Sequence, residues 1–206
     1  KLSQYLTVTG CYWAFTLTDG ALRMLVVLYF HQLGYGALEI ASLFILYEFF
    51  GMITNLFGGW LAAHKGLNLT LKLGLLIQII ALLMLLLPPS LLTIAYVMLV
   101  QALSGIAKDL SKMSAKSSIK VLIPDDAQSK LYHWIALLTG SKNALKGIGF
   151  FLGAALLGFI GFQGAIIFMV IMLSLALIFS LHLLQNDLDL QYMQQIKLMH
   201  PNLLIQ

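Results

Sequence analysis

Apolar residues run through this chain in blocks of roughly twenty or more, separated by short breaks rich in glycine, proline and small polar residues. A helix needs about 20 mainly apolar residues to cross the hydrocarbon core of a bilayer. The blocks therefore predict membrane-spanning helices over residues 6–33, 37–62, 69–87, 91–113, 130–159 and 163–184. The breaks carry turn chemistry: Gly34 and Gly36, His64 to Asn68 around Gly66, Pro88-Pro89-Ser90, Pro124-Asp125-Asp126, and Gly161 to Gly164. The first, fourth and fifth blocks exceed a membrane thickness, which implies tilt or extension beyond the bilayer. No short apolar stretch with a small-residue cleavage site precedes them, so no removable signal peptide is expected. The chain opens on Lys1 without an initiator Met, which points to a trimmed or incomplete product.

Within the spans the polar residues fall on single helical faces. Tyr12, Thr16, Asp19 and Arg23 step by four, three and four in the first span. Glu48, Gly51, Asn55 and Gly59 do the same in the second, and Gln101, Ser104, Lys108 and Lys112 in the fourth. Thr139, Lys142, Asn143 and Lys146 share one side of the fifth. The third span offers little beyond Lys72 and Gln78, the sixth little beyond Ser174, Ser180 and a terminal His182. A charge at the bilayer centre costs at least about 2.5–3.5 kcal/mol, so intramembrane charges face protein or water. Four wet spans and two plain ones suit helices ringed around a polar pathway.

These charges admit more than one use. Asp19 and Arg23, four apart, can neutralise each other on one helix. Lys112, Lys116 and Lys120 fit a solvated extension of the fourth helix. Counted from Lys130, Lys142 and Lys146 lie some 18 and 24 Å along the fifth helix, deep in the core, with no acid on their own span. Either Asp19 and Glu48 neutralise them from other spans, or an anionic solute does. Gly149, Gly153 and Gly158 predict a close helix–helix approach.

Composition narrows the class. Hydrophobic residues make up 60% of the 206 and charged residues 10%, with a mean hydropathy of +0.92. A soluble globular chain carries about 25% charge and about 45–50% apolar residues. Soluble, disordered, collagenous and disulfide-scaffold classes are excluded, leaving an all-α polytopic membrane protein. The single Cys11 builds no disulfide framework. The net charge of +4 is too diffuse for a nucleic-acid partner. Lysines sit asymmetrically: none in the breaks at 34–36, 88–90 and 161–164, but Lys1, Lys65, Lys72, Lys112, Lys116, Lys120, Lys130 and Lys197 on the other side. That bias predicts both termini in the cytoplasm and a location in the inner (plasma) membrane. Residues 185–206 read as a cytoplasmic tail or as the start of a linker to a second, absent half.

Enzyme chemistry finds little footing. Ala102-Leu103-Ser104-Gly105 falls one residue short of the GxSG of intramembrane serine proteases, and His133 and His182 lie near membrane ends. The histidines stand singly and Cys11 is alone, so neither a metal nor a cofactor is expected.

The wet-and-plain pattern resembles the amino-terminal half of the major facilitator superfamily, whose spans one, two, four and five line the pathway. That superfamily carries G-x-x-x-D-[RK]-x-G between spans two and three. Here Gly59-Trp60-Leu61-Ala62-Ala63-His64-Lys65-Gly66 keeps both glycines but has Ala63 for the acid and His64 for the usual base. The runs TDGALRMLVVL (18–28), TNLFGGWL (54–61), QALSGIAKDLSKMSAKSSIK (101–120), PDDAQ (124–128) and LTGSKNALKG (138–147) resemble the organoarsenical efflux permeases, a branch of that superfamily.

The resemblance implies six transmembrane helices in two inverted three-helix repeats, one half of a twelve-span permease. It implies export of 1-arseno-3-phosphoglycerate, hence arsenate resistance, with a functional link to a glyceraldehyde-3-phosphate dehydrogenase. The missing carboxyl half or a second copy would complete the pathway. A multiply negative substrate calls for clustered cations, and Arg23, Lys108, Lys142 and Lys146, with Asn143, Tyr12 and Asn55, form the expected set. Asp19 or Glu48 would titrate if transport is proton-coupled, and Gly59, His64, Lys65 and Gly66 would form the gating loop. Other readings are efflux of a different organic anion or drug, and a self-contained six-span homodimer without transport activity.

Overall fold

The computed structural model describes residues 2–122, 128–184 and Gln194. Lys1, the Pro124-Asp125-Asp126 break and, Gln194 apart, the stretch 185–206 lie outside them. The described residues form helices α1 (Leu2–Gln32), α2 (Ala37–Ser42), α3 (Ile45–Lys65), α4 (Leu67–Met84), α5 (Ile94–Leu122) and α6 (Gln128–Leu183), with a 3₁₀ turn at Pro89–Leu91. Five helical segments are long and apolar enough to cross a membrane: Ser3–Gln32, Ala37–Lys65, Leu67–Met84, Ile94–Val121 and Tyr132–Leu183.

Several breaks differ from expectation in extent. The second expected span divides at Leu43 and Phe44 into α2 and α3. The break at His64 to Asn68 shrinks to Gly66, whose φ of 90° ends α3 and starts α4 in one residue. Its neighbours are helical and Asn68 is buried. Helix α5 starts later, where the Tyr96 amide donates to Thr93 Oγ1 at 3.3 Å, and runs on to Leu122.

Helix α6 is 56 residues long and non-helical at Gly161, with φ 71° and ψ 179°. Straight, it would reach about 84 Å, far beyond a bilayer core. Its neighbours on α1 show a reversal instead. Tyr5 meets Trp134, ring centroids 4.7 Å apart; Gly20 lies against the backbone of Lys146 and Gly149; Tyr29 stacks on Phe162 at 3.9 Å. The first arm of α6 thus runs parallel to α1. Beyond Gly161 the chain returns, and the Cys11 thiol donates to the Ala176 carbonyl at 3.3 Å. Two antiparallel arms both lie along α1, hinged at a glycine in a backbone region that side-chain-bearing residues avoid.

On the other side of the bundle α3 and α5 are parallel: Tyr47, Gly51 and Gly58 face Gly105, Asp109 and Met113 in order. Helix α4 runs antiparallel to α5, with Ser104 donating to Gln78 Oε1 at 2.8 Å and Ser114 to the Leu67 carbonyl at 2.5 Å. Phe15, Leu22, Leu25, Phe30, Leu71, Leu75 and Leu82 fill the core. Phe151, Phe159, Leu38 and Leu56 stand largely exposed. In water that surface would drive aggregation, whereas a lipid environment accommodates it.

Candidate functional site

Asp19 lies near the middle of α1, about 26 Å from its start and about 20 Å from its end at 1.5 Å per residue. It is 4% exposed, and its helical face also carries the buried Tyr12 and Thr16. The first full turn of α3 places Tyr47 and Glu48 opposite. Tyr47 is fully buried, and its hydroxyl donates to Asp19 Oδ1 at 2.6 Å. Glu48, more exposed, forms an ion pair with Arg23, and Lys108 Nζ approaches its other oxygen to 3.4 Å. The Arg23 guanidinium and the Lys108 ammonium each stand 4.2 Å from the Tyr47 ring centroid. This is the distance range in which a cation is attracted to an aromatic face.

Next to Lys108 on α5, Asp109 accepts from Lys112, one turn further along, at 3.2 Å and lies 3.6 Å from the Lys108 ammonium. From the first arm of α6, Lys146 Nζ comes within 3.9 Å of Asp19 Oδ2. Four elements thereby converge on a cavity of about 200 Å³ walled by Tyr12, Phe15, Thr16, Asp19, Glu48, Lys108, Lys112, Lys142 and Lys146. Among the described residues no carboxylate lies within 4.0 Å of Lys142. Five cations (Arg23, Lys108, Lys112, Lys142, Lys146) stand with three carboxylates (Asp19, Glu48, Asp109), leaving two positive charges in excess.

Of the residues expected here, Tyr12, Asp19, Glu48, Lys108, Lys142 and Lys146 line this cavity. Arg23 lies behind it, beside a separate space of about 300 Å³ bounded by Met24, Val27, Phe44 and Phe150. Asn55 and Asn143 are exposed and do not line the cavity. The intrahelical Asp19–Arg23 pair does not form, because each side chain takes a partner on another helix. Lys112 is a cavity wall rather than a solvated extension, while Lys120 is exposed. Gly59 is open on the surface, Lys65 is exposed, and His64 Nδ1 sits 2.9 Å from the Trp60 carbonyl oxygen.

Two participants escaped the sequence pattern. Asp109 is adjacent to Lys108 and three residues before Lys112, a spacing that does announce an acid–base pair on a helix. Tyr47 gave no signal beyond being aromatic beside Glu48. A larger apolar groove of about 690 Å³ between the start of α1 and the second arm of α6 contains no charged side chain.

No family model matches the chain, and no curated protein matches it. Solved structures do. A POT family transporter in complex with a thioalcohol-conjugated peptide superposes with a TM-score of 0.73 at 18% identity, over 95% of this chain and 44% of that one. A POT family transporter in complex with 5-aminolevulinic acid gives 0.74, with the same identity and coverage. The fold is of the major facilitator type. The chain spans less than half the length of these neighbours, and at this identity the likeness is one of architecture.

Proposed function

We propose that the chain is one half of a membrane transporter that carries a small, multiply negative solute by alternating access. The observation that carries this reading is the mid-depth cavity with two cations in excess, one of them, Lys142, without a carboxylate neighbour among the described residues. Charge held in a low-dielectric bundle is costly unless matched, and a dianion supplies the match. On this reading the chain makes six crossings, the two arms of α6 being counted separately. Both termini and the lysine-rich end then face the cytoplasm of an inner (plasma) membrane.

The substrate implied by the resemblance is 1-arseno-3-phosphoglycerate, made with the help of a glyceraldehyde-3-phosphate dehydrogenase. Its several negative charges suit this cavity. Export also suits the energetics: each negative charge leaving an inside-negative cell gains about 2.3 kcal/mol per 100 mV. Asp19 and Glu48 are the acids available for proton coupling, and a second six-span unit, either the other half or another copy, closes the pathway. The protein binds and moves its solute without transforming it. A second reading, carriage of a zwitterion, draws on the exposed Glu48 carboxylate and on the amino-acid-like ligand of one structural neighbour.

The test replaces Lys142 and Lys146 separately by Gln in the complete gene product and follows arsenic efflux from arsenate-loaded cells. Each change should cut efflux about tenfold or more, the scale of losing a charge-assisted contact. Unchanged efflux in both removes these lysines from the site.

A further inference from the structure

The hydroxyl and the ring of Tyr47 act on different neighbours. The ring stands against Arg23 and Lys108, both of which are tied to carboxylates. The hydroxyl donates to Asp19 at 2.6 Å. The second oxygen of Asp19 stops 3.9 Å from Lys146 Nζ, an ion-pair distance but outside hydrogen-bond reach. An ammonium and a carboxylate so close within a bundle draw together into a charge-assisted hydrogen bond unless one of them is held. Here Asp19 is held, since one oxygen is committed to a fully buried phenol on another helix.

We propose that Tyr47 is a positioning residue that keeps Asp19 off Lys146, leaving the Lys146 ammonium available to the solute. The inference rests on the anion-site reading above. Without the hydroxyl, Asp19 turns to Lys146 and competes with the solute for it. Lys142, four residues earlier on the same arm, then has to hold the anion with less help.

Equilibrium binding of 3-phosphoglycerate to the complete purified protein tests this in wild type, Tyr47→Phe, Asp19→Asn and the double variant. Phenylalanine keeps the ring and its two cations. Tyr47→Phe should raise the Kd about tenfold, the scale of one hydrogen bond to a charged group. In the Asp19→Asn background, where no carboxylate competes, the same change should move the Kd less than about twofold. Asp19→Asn alone should bind at least as tightly as wild type, a readout that does not depend on the Phe variant folding. Equal weakening by Tyr47→Phe in both backgrounds, no weakening at all, or weaker binding in Asp19→Asn overturns the proposal. Wild-type protein with no saturable binding sinks the anion site itself, an outcome distinct from wild-type binding with an inert Tyr47.

Discussion

Helix α1 meets two very different neighbours. Against Gly149 and Gly153 of the first arm of α6 it is dry and joined backbone to backbone: a Cβ on Gly149 would lie 2.5 Å from the Leu17 carbonyl oxygen, and one on Gly153 2.9 Å from the Ala21 carbonyl carbon. Toward α3 and α5 it is wet, and contact is made by long side chains reaching across a cavity. The dry seam leaves no freedom of register, and Lys146 lies three residues before Gly149. Close glycine packing therefore brings a lysine of α6 to Asp19 of α1. The wet side keeps alternatives open, because Glu48 serves both Arg23 and Lys108 and Asp109 serves both Lys108 and Lys112. Rigid registration on one face and exchangeable partners on the other is an arrangement suited to a site that must bind and release.

The contrast breaks most readily at the dry seam. Gly153→Val forces a branched side chain into the Ala21 backbone and should cost roughly 3 kcal/mol or more, at the upper end of overpacking. Gly158→Val on the same arm, where nothing lies within 4 Å, should cost under about 1 kcal/mol. Thermal unfolding of the two variants in detergent checks the difference, and equal losses would show that the seam is not packed as described. At the wet face, Asp109→Asn strips a shared partner from two lysines. Breaking a buried pair costs about 3–5 kcal/mol, and partial exposure of the lysines brings the expectation down to roughly 2. Denaturation midpoints should therefore fall less than for Gly153→Val, with partial recovery when Lys112 is also made Met. A smaller effect than at Gly153 or Asp109 is expected at the hinge: Gly161→Ala should cost about 1–2 kcal/mol, since φ 71° with ψ 179° is a backbone region essentially reserved to glycine. A neutral result there would mean that the two arms tolerate a different turn.

Much of this organisation was legible from the chain. Blocks of apolar residues and the punctuation at Gly34, Gly66, Pro88-Pro89 and Gly161 reflect local constraints: a helix must satisfy its backbone inside lipid, and glycine or proline ends it. The stripe Tyr12, Thr16, Asp19 and Arg23 follows as directly, since a period of 3.6 sets which residues share a face. The close approach expected of Gly149, Gly153 and Gly158 holds at the first two, where the absence of a Cβ lets backbones touch, but not at Gly158, where nothing lies within 4 Å because the arm has left α1's backbone. What periodicity does not carry is the identity of the facing helix. The choice of Glu48 over Asp19 as the partner of Arg23, the entry of Asp109, Lys112 and Tyr47 into the cluster, and the exposure of Asn55 and Asn143 were all decided by tertiary packing. The physical reason is that helical repeat gives each side chain an angle about its own axis. Only the docking of helices against one another turns those angles into distances between charges.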